Sequence, residues 1–105
     1  MSDQGAQVIV LHPRRESAKF DLDYYLFKHM PLVKEKWMSL GLKSFSVVQL
    51  ALENQFSVAA VVDFESSESL GKAMADPATK EIMDDVPNFS SEQPIIVAGY
   101  VVLRG

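Results

Sequence analysis

The hydrophobic and polar residues of this chain repeat with two different periods, which predicts both strands and helices. Ala6 to Leu11 is a short β-rich run that ends at His12-Pro13. Farther along, apolar residues recur at helical spacing, namely Leu22, Leu26, Val33, Trp37 and Leu40. The pattern predicts a strand and then a helix, with His12 on the strand side that carries Val8 and Val10.

Local signals mark both ends of this helix. Asp21 is a favourable N-cap, and Phe20 before it is placed to pack on Tyr25 in the first turn. Gly41 follows the last periodic residue, where a glycine commonly ends a helix. We therefore predict a helix from just after Asp21 to just before Gly41.

The second half of the chain predicts three more strands and a helix in two parts. The predicted strands are Lys43–Leu52, Gln55–Phe64 and Pro94–Leu103. Glu53-Asn54 is a plausible hairpin turn between the first two. Ser66 or Ser67 can cap the helix, and Asp76-Pro77 restarts it as N-cap and first-turn proline. Val86-Pro87 predicts extended chain, because a residue before proline disfavours helical geometry.

The element order is β-α-β-β-α-β, which is the ferredoxin-like arrangement of the α+β class. We predict one domain over residues 1–105, with a four-stranded antiparallel sheet. Both faces of the last two strands are largely apolar, as Val58 and Ala60 alternate with Ala59 and Val61. Helices cover one face, so the other is expected to pack against a second copy. The expected assembly is a homodimeric α/β barrel.

Composition narrows the functional classes. Of the 105 residues, 48% are hydrophobic and 23% charged, which is typical of a globular protein. A net charge of −4 argues against nucleic acid as a partner, and the absence of cysteine excludes disulfides and thiolate sites. No signal peptide, membrane span, phosphate-binding loop, dinucleotide motif or metal-binding spacing is found. We therefore expect a cytoplasmic protein without membrane contact, cofactor or metal.

The strongest candidate for chemistry is His29, on the inward side of the first helix. It lies one turn after Tyr25 and two residues before Pro31, whose missing N–H and ring predict a kink or break in the helix. In one interpretation His29 is a pocket imidazole that binds a ligand or moves a proton on it, assisted by the Tyr25 hydroxyl. In the other it is a core histidine satisfied by a freed carbonyl such as that of Phe27.

Aromatic and apolar residues of the inner side are candidates to line a pocket for a flat hydrophobic ligand. The candidate substrate-binding residues are Trp37, Phe64, Met74, Ile82, Asn88, Phe89 and His12. The alternative for most of them is core or dimer interface, and for His12 an ordinary position at a strand end. The adjacent pair Asp84-Asp85 is typical of a solvated helix end.

Two segments resemble the EthD family of dimeric α/β barrels. Tyr24-Tyr25, then three residues, His29, one residue, and Pro31-Leu32-Val33 fit that family's first motif position for position. Asp85-Val86-Pro87-Asn88-Phe89 resembles its second motif, ahead of the last strand. The element order matches over nearly the whole chain.

The resemblance implies a homodimer with a pocket between helices and sheet, in which the counterpart of His29 is the usual candidate functional residue. It also implies two functional classes. One is a cofactor-independent acid/base enzyme of aromatic compound metabolism, of the decarboxylase, dehydratase, cyclase or monooxygenase type. The other is a non-catalytic accessory or carrier protein for a partner oxygenase. A structural dimer with no ligand is the third hypothesis.

Overall fold

The computed structural model describes residues 4–105 and contains one four-stranded antiparallel sheet. The strands are β1 (Ala6–Pro13), β2 (Leu42–Gln49), β3 (Phe56–Phe64) and β4 (Ile95–Tyr100). Their order across the sheet is β2-β3-β1-β4, with β1 and β3 at the centre. The predicted ferredoxin-like α+β fold is confirmed.

The helical segments lie between the strands in the predicted places. They are α1 (Leu22–Tyr24), a π-helical turn (Tyr25–His29), α2 (Met30–Trp37), a 3₁₀ turn (Met38–Leu40), α3 (Ser67–Ala75), α4 (Pro77–Asp84) and a 3₁₀ turn (Val86–Asn88). We call residues 22–37 the first helix.

Side-chain caps fix the starts of these helices. The Asp21 carboxylate accepts the backbone N–H of Tyr24 at 3.0 Å, and Ser66 rather than Ser67 caps α3. Asp76 caps α4, directly before its first-turn proline. Gly41 ends the first helical region with φ of +106°, a backbone conformation that residues other than glycine rarely adopt.

The first helix continues through Pro31 without a break. The π-helical turn widens the backbone just ahead of the proline, and Met30 donates its N–H to the carbonyl of Tyr25 five residues back. A wider turn accommodates a ring that has no N–H and that would collide with a carbonyl in regular α-helix. Tyr25 and His29, the first and last residues of this turn, both face the interior.

The core lies between the helices and one face of the sheet. Val8 on β1 pairs with Val62 on β3, and both side chains are buried. Trp37 at the end of α2 packs edge-on against Phe64 at the end of β3, with ring centroids 5.4 Å apart. The buried inner residues are those of even number along β1 and β3, as the alternation predicted.

Two predicted strand ends and one predicted backbone conformation were wrong. β2 ends at Gln49 rather than Leu52 because a turn begins in the segment that follows, where Asn54 donates its N–H to Ala51. β4 ends at Tyr100 rather than Leu103, because Tyr100 lies opposite Ala6, the first residue of β1; one further backbone hydrogen bond follows, from the N–H of Val101 to the carbonyl of Gly5 at 2.8 Å. Val86-Pro87 forms a 3₁₀ turn rather than extended chain, since proline's fixed φ is compatible with its first positions.

The face of the sheet turned away from the helices is largely apolar and exposed. Val48 on edge strand β2 and Ile95 and Val97 on edge strand β4 each keep more than two fifths of their surface exposed. Ile9 and Leu11 of β1 lie between them and are half-buried. Within residues 4–105, no helix combines the length and the apolar character needed to cross a membrane.

Candidate functional site

A small cavity of about 80 Å³ lies between the helices and the inner face of the sheet. Its walls are almost entirely apolar. The predicted site residues that line it are His12, Tyr25, His29, Trp37, Met74 and Ile82. They come from β1, the first helix, α3 and α4, so the cavity exists only when these elements pack together.

Three predicted substrate-binding residues lie outside the cavity wall. Phe64 is fully buried in the core against Trp37, and Asn88 is exposed beyond α4. Phe89 is buried behind the wall, where its ring centroid lies 4.5 Å from that of His29 and 5.0 Å from that of Tyr25. Phe89 therefore packs against residues that line the cavity but does not line it.

His29 is held by a carboxylate, not by the carbonyl that the core-histidine interpretation predicted. Its Nδ1 lies 2.9 Å from Oδ2 of Asp85, and the imidazole is only 6% exposed. An ionised carboxylate can only accept hydrogen bonds, so Nδ1 carries the proton and donates it. Nε2 is then the nitrogen with the free lone pair.

Asp85 is positioned by the end of α4. Its backbone N–H bonds to the carbonyls of Ile82 and Met83, which closes the helix. Its other carboxylate oxygen, Oδ1, accepts the hydroxyl of Tyr24 at 2.7 Å and the side-chain amide of Asn88 at 2.8 Å. With His29 on Oδ2, both carboxylate oxygens are engaged, so the carboxylate holds the imidazole in a fixed orientation.

Burial and hydrogen bonding oppose each other at this pair. Burial lowers the pKa of His29 below its ordinary value, and the hydrogen bond and charge of Asp85 offset this only in part. Burial alone would raise the pKa of Asp85, but hydrogen bonds from Asn88, His29 and Tyr24 outweigh it and lower that pKa. At neutral pH the contact therefore joins a neutral imidazole to an ionised carboxylate.

Tyr25 stacks on His29 with ring centroids 5.4 Å apart and planes inclined by 17°. Burial raises the pKa of Tyr25 above its ordinary value, so its hydroxyl stays protonated at physiological pH. Trp37 contributes apolar surface, since its indole N–H is already used on the Thr79 hydroxyl at 2.9 Å.

His12 is the second histidine of the cavity. Its side chain is 98% buried, given a relative exposure of 2%, and neither ring nitrogen has a hydrogen-bond partner among the residues the structure describes. Aromatic rings surround it, with centroids at 5.0 Å for Phe20, 5.0 Å for Tyr25 and 5.7 Å for Phe89. Burial first, and the proximity of His29 second, lower its pKa to about 4.

Sequence reasoning did not select Asp85 for the site, although an adjacent pair of carboxylates is also compatible with acid/base chemistry and residues 85–89 resemble a family motif. The solvated position predicted for the pair holds for Asp84, which is exposed and pairs with Lys80. The hydrogen bond from the Tyr24 hydroxyl to Asp85 was not predicted. Within the described range 4–105, no three His, Cys, Asp or Glu side chains are grouped to hold a metal ion.

Comparison with solved structures finds the same fold in many proteins. The chain matches an EthD-like protein from Ralstonia eutropha JMP134 with a TM-score of 0.83 and 26% identity, over 99% of this chain and 97% of that one. The resemblance to EthD proteins is confirmed. An EthD family protein from Bacillus halodurans C-125 matches with a TM-score of 0.70 and 21% identity, over 90% of this chain and 96% of that one.

Other structural neighbours are dimeric proteins of ferredoxin-like fold. A dimeric ferredoxin-like protein of unknown function from Thermobifida fusca YX has a TM-score of 0.65 and 13% identity, over 96% of this chain and 94% of that one. At that identity the likeness concerns the fold alone. No family model and no curated protein sequence matches the chain.

Proposed function

We propose that this EthD-like protein binds a small aromatic compound carrying a hydroxyl group and moves a proton on it through His29. The observation that carries the proposal is a neutral imidazole, oriented by a half-buried carboxylate, in the wall of an apolar cavity. Nε2 would accept a proton from the ligand, and the resulting imidazolium would be stabilised by Asp85 2.9 Å from Nδ1.

The chemistry of the walls supports an aromatic ligand. Tyr25 and Trp37 present ring faces and edges, and Met74 contributes a flexible, polarisable side chain. Removing a proton from a hydroxyaromatic compound produces an electron-rich phenolate. Such an anion can begin a decarboxylation, dehydration, cyclisation or oxygenation by the electron push of the substrate itself. His29 and Asp85 supply the proton transfer for any of these.

The test uses binding first and turnover second. Titration calorimetry with a panel of single-ring phenols should give saturable heats for the wild type and a large loss of affinity for His29→Ala. The matched control is Lys28→Ala, an exposed neighbour in the same π-helical turn, which should bind like the wild type. Equal binding by His29→Ala would remove His29 from the site.

The same panel separates enzyme from carrier. Incubation with each bound phenol, followed by mass analysis of the products, should show a converted compound that requires His29. Saturable binding with no conversion of any ligand would instead favour the accessory or carrier class. No binding at all by the wild type would overturn both.

We also propose that the outer face of the sheet is the dimer interface. The exposed apolar residues Val48, Ile95 and Val97 flank the half-buried Ile9 and Leu11 on one continuous surface. A second copy packed on this face would remove these apolar side chains from water. Sedimentation velocity at micromolar concentration should give a dimer, and a monomer would contradict the proposal.

A further inference from the structure

His12 is a buried polar side chain that the proposed proton transfer leaves without a role. Both its nitrogens are shielded from water and have no partner among residues 4–105, although the side chain lies in the cavity wall. An unpaired buried polar group costs about 1–3 kcal/mol in stability. An apolar side chain of similar size would avoid that cost at a position otherwise surrounded by Phe20, Tyr25 and Phe89.

The two histidines face one compartment from either side of Tyr25. The Tyr25 ring stacks on His29 and meets His12 edge-on, and the Phe89 ring lies within 6 Å of both imidazoles, at 4.5 and 5.7 Å. Nδ1 of His29 already donates a hydrogen bond to Asp85. The two ring nitrogens of His12, one a donor and one an acceptor, have no hydrogen-bond partner among the described residues. The His12 nitrogens are shielded in the free protein, so the compartment gains this second polar contact when neighbouring side chains move.

We propose that His12 is a second polar anchor for the ligand, so that the ligand is a single-ring phenol with a second oxygen substituent bonded to His12. This rests on the proposed function. The size limit comes from the cavity, whose volume of about 80 Å³ is small beside the roughly 150 Å³ known to hold benzene. The cavity must widen even for one ring, and fused rings fit still less.

Flexible side chains at the cavity allow that widening. Met74 on α3 and Met83 on α4 both line the cavity and are only half-buried, and unbranched methionine repacks readily. Their movement would give an incoming oxygen access to the His12 nitrogens. A hydroxyl can donate to the unprotonated nitrogen or accept from the N–H, and a carbonyl can accept from the N–H.

The experiment compares affinities for phenol and for rings with a second oxygen. Calorimetry is run with phenol, the three dihydroxybenzenes and the three hydroxybenzaldehydes, on the wild type and on His12→Leu. At least one disubstituted ring should bind the wild type about tenfold more tightly than phenol, which is the effect of one good hydrogen bond. His12→Leu should lose the tenfold preference, so that phenol and the disubstituted ring bind this variant about equally well.

A conservative variant and a stability readout complete the test. His12→Gln, which keeps a donor and an acceptor, should retain part of the preference. His12→Leu without ligand should melt higher than the wild type, because the unpaired nitrogens are gone. If His12→Leu does not fold, His12→Met removes the same nitrogens with a more adaptable side chain.

The outcomes distinguish this inference from the proposed function. Phenol binding that requires His29, with a preference that persists in His12→Leu or is absent in the wild type, overturns the role of His12 alone. Wild-type protein that binds none of the rings overturns the proposed function and the role of His12 together.

Discussion

The unpaired burial of His12 makes stability depend on pH in a way that one substitution should remove. The folded protein holds this imidazole at a pKa of about 4, against an ordinary value of 6.5 in the unfolded chain. Between those values the unfolded state binds more protons, so stability falls as pH falls. From pH 7.5 to pH 4.5 the contribution lost is about 2–3 kcal/mol.

The groups that face His12 do not mask this effect. Tyr25 is neutral throughout that range because its pKa is raised, and Phe20 and Phe89 carry no charge. His29 also has a lowered pKa, so its contribution to the free energy of unfolding falls in the same direction as pH falls. His29 is present in both proteins compared, so most of its contribution cancels when their free energies are subtracted.

Urea unfolding of the wild type and of His12→Leu, followed by fluorescence, measures the difference. Trp37 is the only tryptophan, and it is buried, so its emission reports unfolding. The free energy of unfolding should fall by about 2–3 kcal/mol more in the wild type than in the variant between the two pH values. An equal fall in both proteins would refute the assignment of a buried, neutral His12.

Three further predictions follow from other contacts. Asp85→Asn removes the charge that partly sustains the pKa of His29, so an NMR titration should show that pKa fall further, and a rise would contradict the geometry. Gly41→Ala should lower the free energy of unfolding in urea by about 2 kcal/mol or more. The reason is that φ at this position is +106° and the new Cβ would lie 2.6 Å from Cβ of Ser69. A loss within error of zero would show that the turn relaxes freely. Val97→Asp places a charge on the outer sheet face and should give a monomer in sedimentation, whereas an intact dimer would place the interface elsewhere.

The fold was predictable because its signals are local. Asp21, Gly41 and Asp76-Pro77 each mark a helix boundary within a few residues, and alternation along β3 marks its buried face. The antiparallel order then follows from short connections and two helices on one side. Strand ends were less predictable. β4 ends opposite Ala6, where β1 begins, and the sequence of one strand does not reveal the length of its partner.

The site was only partly predictable, because its decisive contacts join distant parts of the chain. Asp85 contacts His29, which is 56 residues away in the sequence. Asp84 and Asp85 are adjacent and chemically identical, so only the orientation of the end of α4 decides which of them faces His29. The π-helical turn was not predictable as such, although Pro31 indicated an irregularity at that point. His12 lies next to the end of β1, as predicted, but the aromatic rings that bury it come from distant residues that its own strand does not reveal.

The most direct test of the central claim is the protonation state and ligand response of His29, measured by nitrogen-15 NMR of the imidazole at pH 7. A neutral ring should be observed with the proton on Nδ1, and saturation with a phenol that binds should shift the Nε2 resonance. The control is His12, assigned by comparison with His12→Leu. An imidazolium at pH 7, a proton on Nε2, or an Nε2 resonance unmoved by a saturating phenol would contradict a His29 that is oriented by Asp85 to act on a ligand.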